Sequence, residues 1–366
     1  MSKLIRLAIS GAAVVAFTVT AFSAGPASAK VHSSAVTGTV AFLGPEQFTG
    51  RWVKDAAYFN AELHKLGPKI TIKDYNANAS ISTQQQNLNS ALGLGAKVIV
   101  LAAVDQNQDA PLVDQAEAAG AKVLAYDRMI QSPKLRAYDS FDNVGVGIEQ
   151  GTWFKANVKK GTIVEIRGST TDQNAHLFYM GFCKVVCPLI KKKTYKLCYS
   201  TWTPNWVPAT AGTEMDSAFT KCGSKLAGIY SMNDGMAAAV YQSEVRHHVR
   251  LPLTGQDAQP DGLGRILEHQ QGMTVFKFVK SEAVSAAQVA YNWLAGKNLP
   301  SNYKHNCGAD CVQASGRHVP AALFTPISIN LKAHNVGKPV STGFDTWADV
   351  CASIGKPTSP YCGLPH

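Results

Sequence analysis

The chain of 366 residues is 46% hydrophobic and 16% charged, which excludes a disordered protein and leaves room for two domains, each with its own core. Its formal charge of +10 falls to +8 without Lys3 and Arg6. No Arg/Lys stripe interleaved with aromatics accompanies that excess, so nucleic acid is not an expected partner, and Lys191-Lys192-Lys193 reads as a solvated turn.

Lys3 and Arg6, the apolar run from Leu7 to Phe22 and the small residues Ala27-Ser28-Ala29 before Lys30 form the charge, core and cleavage pattern of a secretory signal peptide over 1–29. Ser10, Gly11, Thr18 and Thr20 interrupt the run and nothing later reaches spanning length. The mature chain is therefore expected to be exported, periplasmic or extracellular, without a membrane span. The first of eight cysteines is Cys183, so no lipid-anchor cysteine follows the cleavage site, and an even count in an oxidising compartment permits full pairing.

Thr39 to Leu43 predicts a first strand, followed by a helix whose Trp52, Ala56, Phe59, Leu63 and Leu66 share one face until Gly67-Pro68 stops it. Ile70 to Tyr75, Lys97 to Ala102 and Val123 to Ala125 predict strands, with helices over Ser82 to Leu94 and Ala110 to Ala119 between them. This βαβαβαβ rhythm implies a parallel sheet with helices on both faces. After Tyr138 to Asp142 the rhythm restarts. A helix from about Val146, a strand at Thr162 to Ile166 and a helix through Phe178 and Phe182 open a second lobe. Strands near Lys196 to Tyr199, Leu226 to Ser231, Leu253 to Gly255 and Met273 to Lys277 continue it. The helix Glu282 to Leu294 and the stretch Val319 to Ile329 come too late for a third domain and are expected to complete the two sheets, so that the chain crosses between lobes three times. The expected division is 36–144 plus 278–320 for one lobe and 145–277 plus 321–366 for the other. Gly145, Gly147 and Gly151 lack the spacing and preceding strand of a dinucleotide loop; Asp142-Asn143 before them reads as a helix cap.

Open parallel sheets bind ligands beyond the carboxyl ends of their strands. The residues there are Arg51, Trp52, Asp127 and Arg128 in the first half, then Asp172, Asn174, Trp206, Asn233, Asp257 and Lys277 in the second. Two indoles with a balanced set of Asp, Asn, Arg and Lys suit a neutral, hydroxyl-rich molecule: indole faces pack on the C–H face of a pyranose, and planar guanidinium and carboxylate groups take its hydroxyls in pairs. Each residue also has a structural reading, Trp52 and Trp206 as packing and Asn233-Asp234 as a helix cap.

Gly50-Arg51-Trp52, Ala125-Tyr126-Asp127-Arg128-Met129, Ser140-Phe141-Asp142-Asn143, Asp172-Gln173-Asn174-Ala175, Asn233-Asp234-Gly235, Thr254-Gly255-Gln256-Asp257-Ala258 and Met273-Thr274-Val275-Phe276-Lys277 resemble, in order and spacing, the periplasmic D-xylose-binding proteins of sugar ABC importers. The resemblance spans about Thr39 to Ile329, and the closing segment Gly343-Phe344-Asp345-Thr346, with Cys351 and Cys362, looks like the tail of actinobacterial members. It implies an α/β fold of two Rossmann-like lobes with parallel sheets joined by a three-segment hinge, the type I periplasmic binding protein. It also implies that Arg51, Asp127, Arg128, Asp172, Asn174, Asn233, Asp257 and Lys277 hydrogen-bond a sugar whose ring lies between Trp52 and Trp206. Two cysteine-bearing segments, Phe182 to Tyr199 and the insertion Asn302 to Arg317, depart from the pattern and are expected not to touch the matching motifs.

The expected function is a monomeric receptor that captures xylose or a similar aldose and delivers it to the membrane subunits of an ABC importer, with no cofactor. A sensory role before a chemoreceptor or sensor kinase would use the same pocket. A sugar-modifying enzyme is the other alternative: Asp127 with Asp172 or Asp257 could form a carboxylate pair for glycoside hydrolysis. Arg51, Arg128 and Lys277 are expected to hold those acids ionised, whereas a general acid needs a raised pKa. His305, Cys307, Cys311 and His318 have spacing that could ligate zinc, but in an exported chain a Cys307–Cys311 disulfide is the simpler expectation, and no metal is expected. Cys351 with Cys362 reads as a second staple, whereas Cys183 and Cys187 are each expected to reach Cys198 or Cys222 rather than one another. His247-His248 reads as a solvated helix end.

Overall fold

Alternating buried strands and amphipathic helices open the molecule: β1 (Gly38–Gly44), α1 (Arg51–Leu66), β2 (Ile70–Asn76), α2 (Ile81–Gly93), β3 (Ala96–Leu101), α3 (Ala110–Ala118), β4 (Lys122–Tyr126) and β5 (Ala137–Phe141). The computed structural model describes residues 35–47, 50–354 and Cys362, so the signal-peptide reading of 1–29 lies outside the described residues. Side chains alternate across each strand and sort into two cores. Val40, Phe42, Val98, Val100, Leu124 and Tyr126 pack with Phe59 and Leu63 of α1, while Ala41, Leu43, Ile99, Leu101, Val123 and Ala125 pack with α2 and α3 on the other face.

The second passage runs α4 (Asn143–Asn157), β6 (Gly161–Arg167), α5 (Gln173–Lys191), β7 (Tyr195–Trp202), α6 (Pro208–Cys222), β8 (Gly228–Ser231), α7 (Asp234–Arg246), α8 (Pro260–Leu267) and β9 (Thr274–Phe276). Helix α9 (Val279–Leu294) returns to the first core, β10 (Ala321–Phe324) joins the first sheet, and β11 (Ile327–Ile329), α10 (Lys338–Ser341) and α11 (Trp347–Ala352) close the chain on the second lobe. The first sheet has the order β10-β5-β4-β3-β1-β2, parallel throughout; β7-β6-β8 is parallel, and β9 pairs antiparallel with β11.

Several expectations are corrected. Ala321–Phe324, expected in the second lobe, pairs with β5, where Ala321 and Ala322 are buried, so the last crossing falls at Thr325-Pro326. The strand expected at Leu253 to Gly255 is a single bridge from Leu253 to Ile229, because Ser231 N, which would continue the ladder, donates instead to Thr254 Oγ1 at 2.9 Å. Cys183 joins Cys187 along α5, with Cα atoms 4.7 Å apart, and Cys198 joins Cys222, tying β7 to the end of α6. The i,i+4 pair lies within disulfide reach, and the contact of β7 with α6 uses the other two sulfurs. Cys307–Cys311 and Cys351–Cys362 are bridged as well.

One of the glycines set aside as a dinucleotide loop, Gly147, has a packing role, together with Gly181 of α5. A Cβ on Gly147 would meet the carbonyl oxygen of Phe178 at 1.9 Å, and one on Gly181 would meet that of Val144 at 2.0 Å, so α4 and α5 touch backbone to backbone. The start of α5 meets the first lobe through Asn174, whose Nδ2 donates to Asp127 O at 2.9 Å.

Candidate functional site

Beyond β4, Asp127 takes φ 57°, a left-handed conformation costly for a residue with a Cβ. It is held there from several sides. Its N–H donates to Asp139 O at 2.7 Å, and its carbonyl accepts from Tyr138 Oη, Ser140 Oγ and Asn174 Nδ2, each at 2.9 Å. Trp206 (φ 60°) and Asp257 (φ 94°) share the unusual backbone, so three strained residues converge on one place.

That place is a cavity. Arg51 and Trp52 enter it from the first turn of α1, and Asp127 and Arg128 from the end of β4. Asp172 and Asn174 enter from the start of α5, Trp206 from the turn after β7, Asn233 from the cap of α7, Asp257 from the approach to α8 and Lys277 from the end of β9. The structure thus brings all ten strand-end residues together and adds Phe178 and Gln256. Phe178 lies one helical turn beyond Asn174 and so shares its face, and Gln256 precedes Asp257; those positions were the available signal. Gly168 is a further missed participant. A Cβ there would lie 2.1 Å from the Trp206 indole, so only glycine leaves room for that ring.

The polar groups are locked by one another. Asp127 Oδ1 accepts from Arg51 Nη1 at 2.5 Å and lies 3.5 Å from Lys277 Nζ, while Oδ2 accepts from Asn174 Nδ2 at 3.3 Å. Arg51 also pairs with Asp55 at 2.9 Å and Glu282 at 2.6 Å, which fix its guanidinium from behind. Asp172 caps α5 by accepting from Asn174 N at 2.9 Å, and its other oxygen accepts from Trp206 Nε1 at 3.2 Å. Asn233 caps α7 through Met236 N at 2.9 Å while lining the cavity, so its structural and site readings hold together. Trp52 Nε1 donates to Glu46 at 2.6 Å, and the Arg51 and Arg128 guanidinium carbons lie 4.8 and 5.2 Å from its ring.

Two lining atoms have no aligned partner. Arg128 Nε, 3.1 Å from Asp172 Oδ2, is a buried donor without a hydrogen bond, and Gln256 Oε1 is a buried acceptor without one. Buried polar atoms are costly unless paired, so these two leave hydrogen-bonding capacity among the residues that line the cavity. Three cations face three lining carboxylates, which suits a neutral ligand.

Burial alone would raise the Asp127 carboxyl, but Arg51, Lys277 and Arg128 outweigh it and bring the group from 3.8 down to about 2. Asp172 and Asp257 shift in the opposite direction from Asp127. Burial raises both, and Arg128 beside Asp172 and Lys277 beside Asp257 offset that only in part.

The insertion also differs from expectation, because it touches two of the matching motifs. Asp310 Oδ1 accepts from Asn143 N at 2.7 Å at the start of α4, and Val312 O accepts from Gln173 Nε2 at 3.0 Å. Cys307 and Cys311 are spent on each other, and among the described residues no group of three or more His, Cys, Asp or Glu could hold a metal ion. Among those residues, too, no helix is long and apolar enough to cross a membrane.

The chain belongs to the periplasmic binding protein domain family, whose pattern matches residues 40–298. It is 31% identical to the D-xylose-binding periplasmic protein of Escherichia coli (strain K12), over 76% of this chain and 83% of that protein. It is 27% identical to the multiple sugar-binding periplasmic receptor of Rhizobium radiobacter, over 80% and 87% of the two chains. The crystal structure of an ABC transporter solute binding protein from Clostridium phytofermentans with bound β-D-glucose shares the fold, with a TM-score of 0.78, 23% identity and coverage of 85% of this chain and 99% of that one. Proteins of this family bind substrates rather than transform them, and this chain is accordingly a binding protein of the periplasmic type, with sugar-binding relatives, and not an enzyme.

Proposed function

We propose that the receptor captures a monosaccharide, xylose or a similar aldose, between its lobes and delivers it as a monomer to the membrane subunits of an ABC importer. The observation that carries the reading is the charge-balanced, indole-walled cavity, lined by Arg128 Nε, whose ion pair with Asp172 lacks hydrogen-bond alignment, and by Gln256 Oε1, a buried acceptor without a hydrogen bond, to which both lobes contribute. Arg51, Asp127, Arg128, Asp172, Asn174, Asn233, Asp257 and Lys277 hydrogen-bond the hydroxyls, and Trp52 and Trp206 take the faces of the ring. A sugar lacking a hydroxyl would strand a buried partner, and this sets the discrimination. Because the ligand gains its full set of contacts only when both lobes reach it, binding favours the closed arrangement, the form a permease would read. Export by the segment 1–29 without a lipid anchor completes the proposal.

A thermal-shift screen over pentoses and hexoses tests it. A cognate sugar at about 100 times its Kd adds about 2.7 kcal/mol to stability and raises Tm accordingly. For a neutral ligand the Kd stays within about twofold between roughly 50 and 500 mM salt. A screen in which no monosaccharide moves Tm rejects the reading.

A further inference from the structure

The closing segment is rooted on the second lobe and ends its reach on the first. Phe344 and Val350 pack in one core with Leu263, Ile266 and Phe276, and Ser353 Oγ donates to Pro260 O at 3.3 Å at the head of α8. From that root, Gly343 to Asp345 lie against α1. Tyr58 Oη donates to Gly343 O at 3.1 Å, Lys54 Nζ donates to Phe344 O at 2.8 Å and sits 4.2 Å from the Phe344 ring centre, and Lys54 forms a salt bridge with Asp345. The Asp345 carboxylate is fully buried, and the cation that pairs with it comes from the other lobe.

The place of this contact matters. Lys54 lies one turn along α1 from Arg51, and α8 begins three residues after Asp257. A surface depression bounded by Arg51, Lys54, Asp257, Gln259 and Phe344 shares Arg51 and Asp257 with the sugar cavity, so the segment lies across an edge of the binding site. Separating α1 from α8 to open that edge breaks the contacts that Lys54 and Tyr58 make with Gly343 to Asp345, while the root on α8 stays.

We propose that the C-terminal segment is a clasp that holds the lobes together over the bound sugar, with Lys54 and Asp345 as its latch, and that this latch sets the rate at which sugar escapes. The proposal rests on the monosaccharide reading of the cavity and adds a control on it. Lys54 touches no lining group of the cavity by hydrogen bond or salt bridge; it is a positioning residue that acts through the distance between lobes. Removing its charge leaves Asp345 buried without its cation in the closed form alone, which penalises closure and not encounter, so the effect belongs in dissociation.

The experiment follows sugar release by stopped flow, using the indole fluorescence of the full chain, in the wild type, Lys54→Met, Asp345→Asn and the double variant. Lys65→Met, at the exposed far end of α1, is the control. The expected result is release about tenfold faster in Lys54→Met, association changed by less than about twofold, and a double variant no worse than the more affected single one. Small-angle scattering of the same proteins without sugar supplies a second readout, in which Lys54→Met has a larger radius of gyration than the wild type. Release and scattering both equal to the wild type overturn the clasp, as does an equal effect from Lys65→Met. If the wild type responds to no monosaccharide, the sugar reading fails by itself, and the scattering comparison still decides whether the latch holds the lobes.

Discussion

Arg128 shows how a single side chain in this cavity differs from a generic positive charge. Its guanidinium is spread among Asp172 Oδ2 at 3.1 Å, Ala103 O at 3.1 Å and Glu46 Oε1 at 3.7 Å, with Nε left unaligned toward the cavity. A lysine keeps the charge and loses the planar fork. We expect Arg128→Lys to lower sugar affinity by about 10- to 100-fold, the equivalent of one or two charge-assisted hydrogen bonds at about 1.5–3 kcal/mol, measured by calorimetric titration. Tm without sugar should move little; a large fall there would assign Arg128 to stability instead. Ten of the twelve lining residues were legible in the sequence because they lie at or just past predicted strand ends, and parallel strands open at one edge of the sheet. Ionisation was not legible in the same way. Asp127 and Asp257 both have cationic neighbours, yet one is depressed and the other raised, because the balance of burial against charge depends on distances that only the folded chain sets: 2.5 Å from Asp127 to Arg51, 3.7 Å from Asp257 to Lys277.

At the scale of elements, the α4–α5 crossing is the contact with least tolerance. Gly147 and Gly181 lie in van der Waals contact with the facing backbone, which cannot retreat as a flexible side chain can. Gly147→Ala is expected to cost about 3 kcal/mol in denaturant unfolding, whereas Gly93→Ala, with nothing within 4 Å of the added carbon, gains about 0.5–1 kcal/mol from helix propensity. Equal effects at the two sites would show that the helices can separate. Strands and helices were readable from period, as β1, β3 and β4 demonstrate by sorting alternate residues into two cores. Pairings between elements were not. Cys183 and Cys187 close on each other because β7 and α6 claim Cys198 and Cys222, a tertiary choice that spacing leaves open. Opening Cys198–Cys222 by a double Cys→Ala change should lower stability by about 3 kcal/mol through the freed loop, a larger loss than from the four-residue Cys183–Cys187 loop, measured in the same unfolding experiment.

The whole molecule is two lobes sewn together three times, and the crossing count was legible from elements that came too late for a third domain. The exact seam was not, because β10 could be assigned to the first sheet only once Ala321 was seen opposite Tyr138. Joined in this way, with polar contacts between lobes such as Gln106 N to Thr171 O at 2.9 Å, the lobes should unfold as one unit, and a group deep in one lobe should set the pH dependence of both. Glu244 in the second lobe is such a group. Burial pushes its carboxyl from 4.5 to about 8, against a weak donation from Leu251 N at 3.4 Å, and its Oε1 has no partner. The folded chain then holds a proton that the unfolded chain has released above its ordinary range near 4.5, so stability is greatest below that range and falls as pH rises until the folded group titrates near 8. Asp234, raised to about 7 by burial against the pull of Arg265, acts in the same direction. Asp127 acts oppositely: with its folded value near 2, its contribution is present above 3.8 and is lost as pH falls toward 2. Glu244→Gln should therefore flatten the decline between about pH 5 and pH 8 by about 1.4 kcal/mol per pH unit, measured by urea unfolding across that interval. The flattening should be the same whether unfolding is followed from Trp293 in the first lobe or Trp153 in the second. A slope that changes only at the second probe would separate the lobes into independent folding units, and an unchanged slope at both would mean that folded Glu244 is ionised.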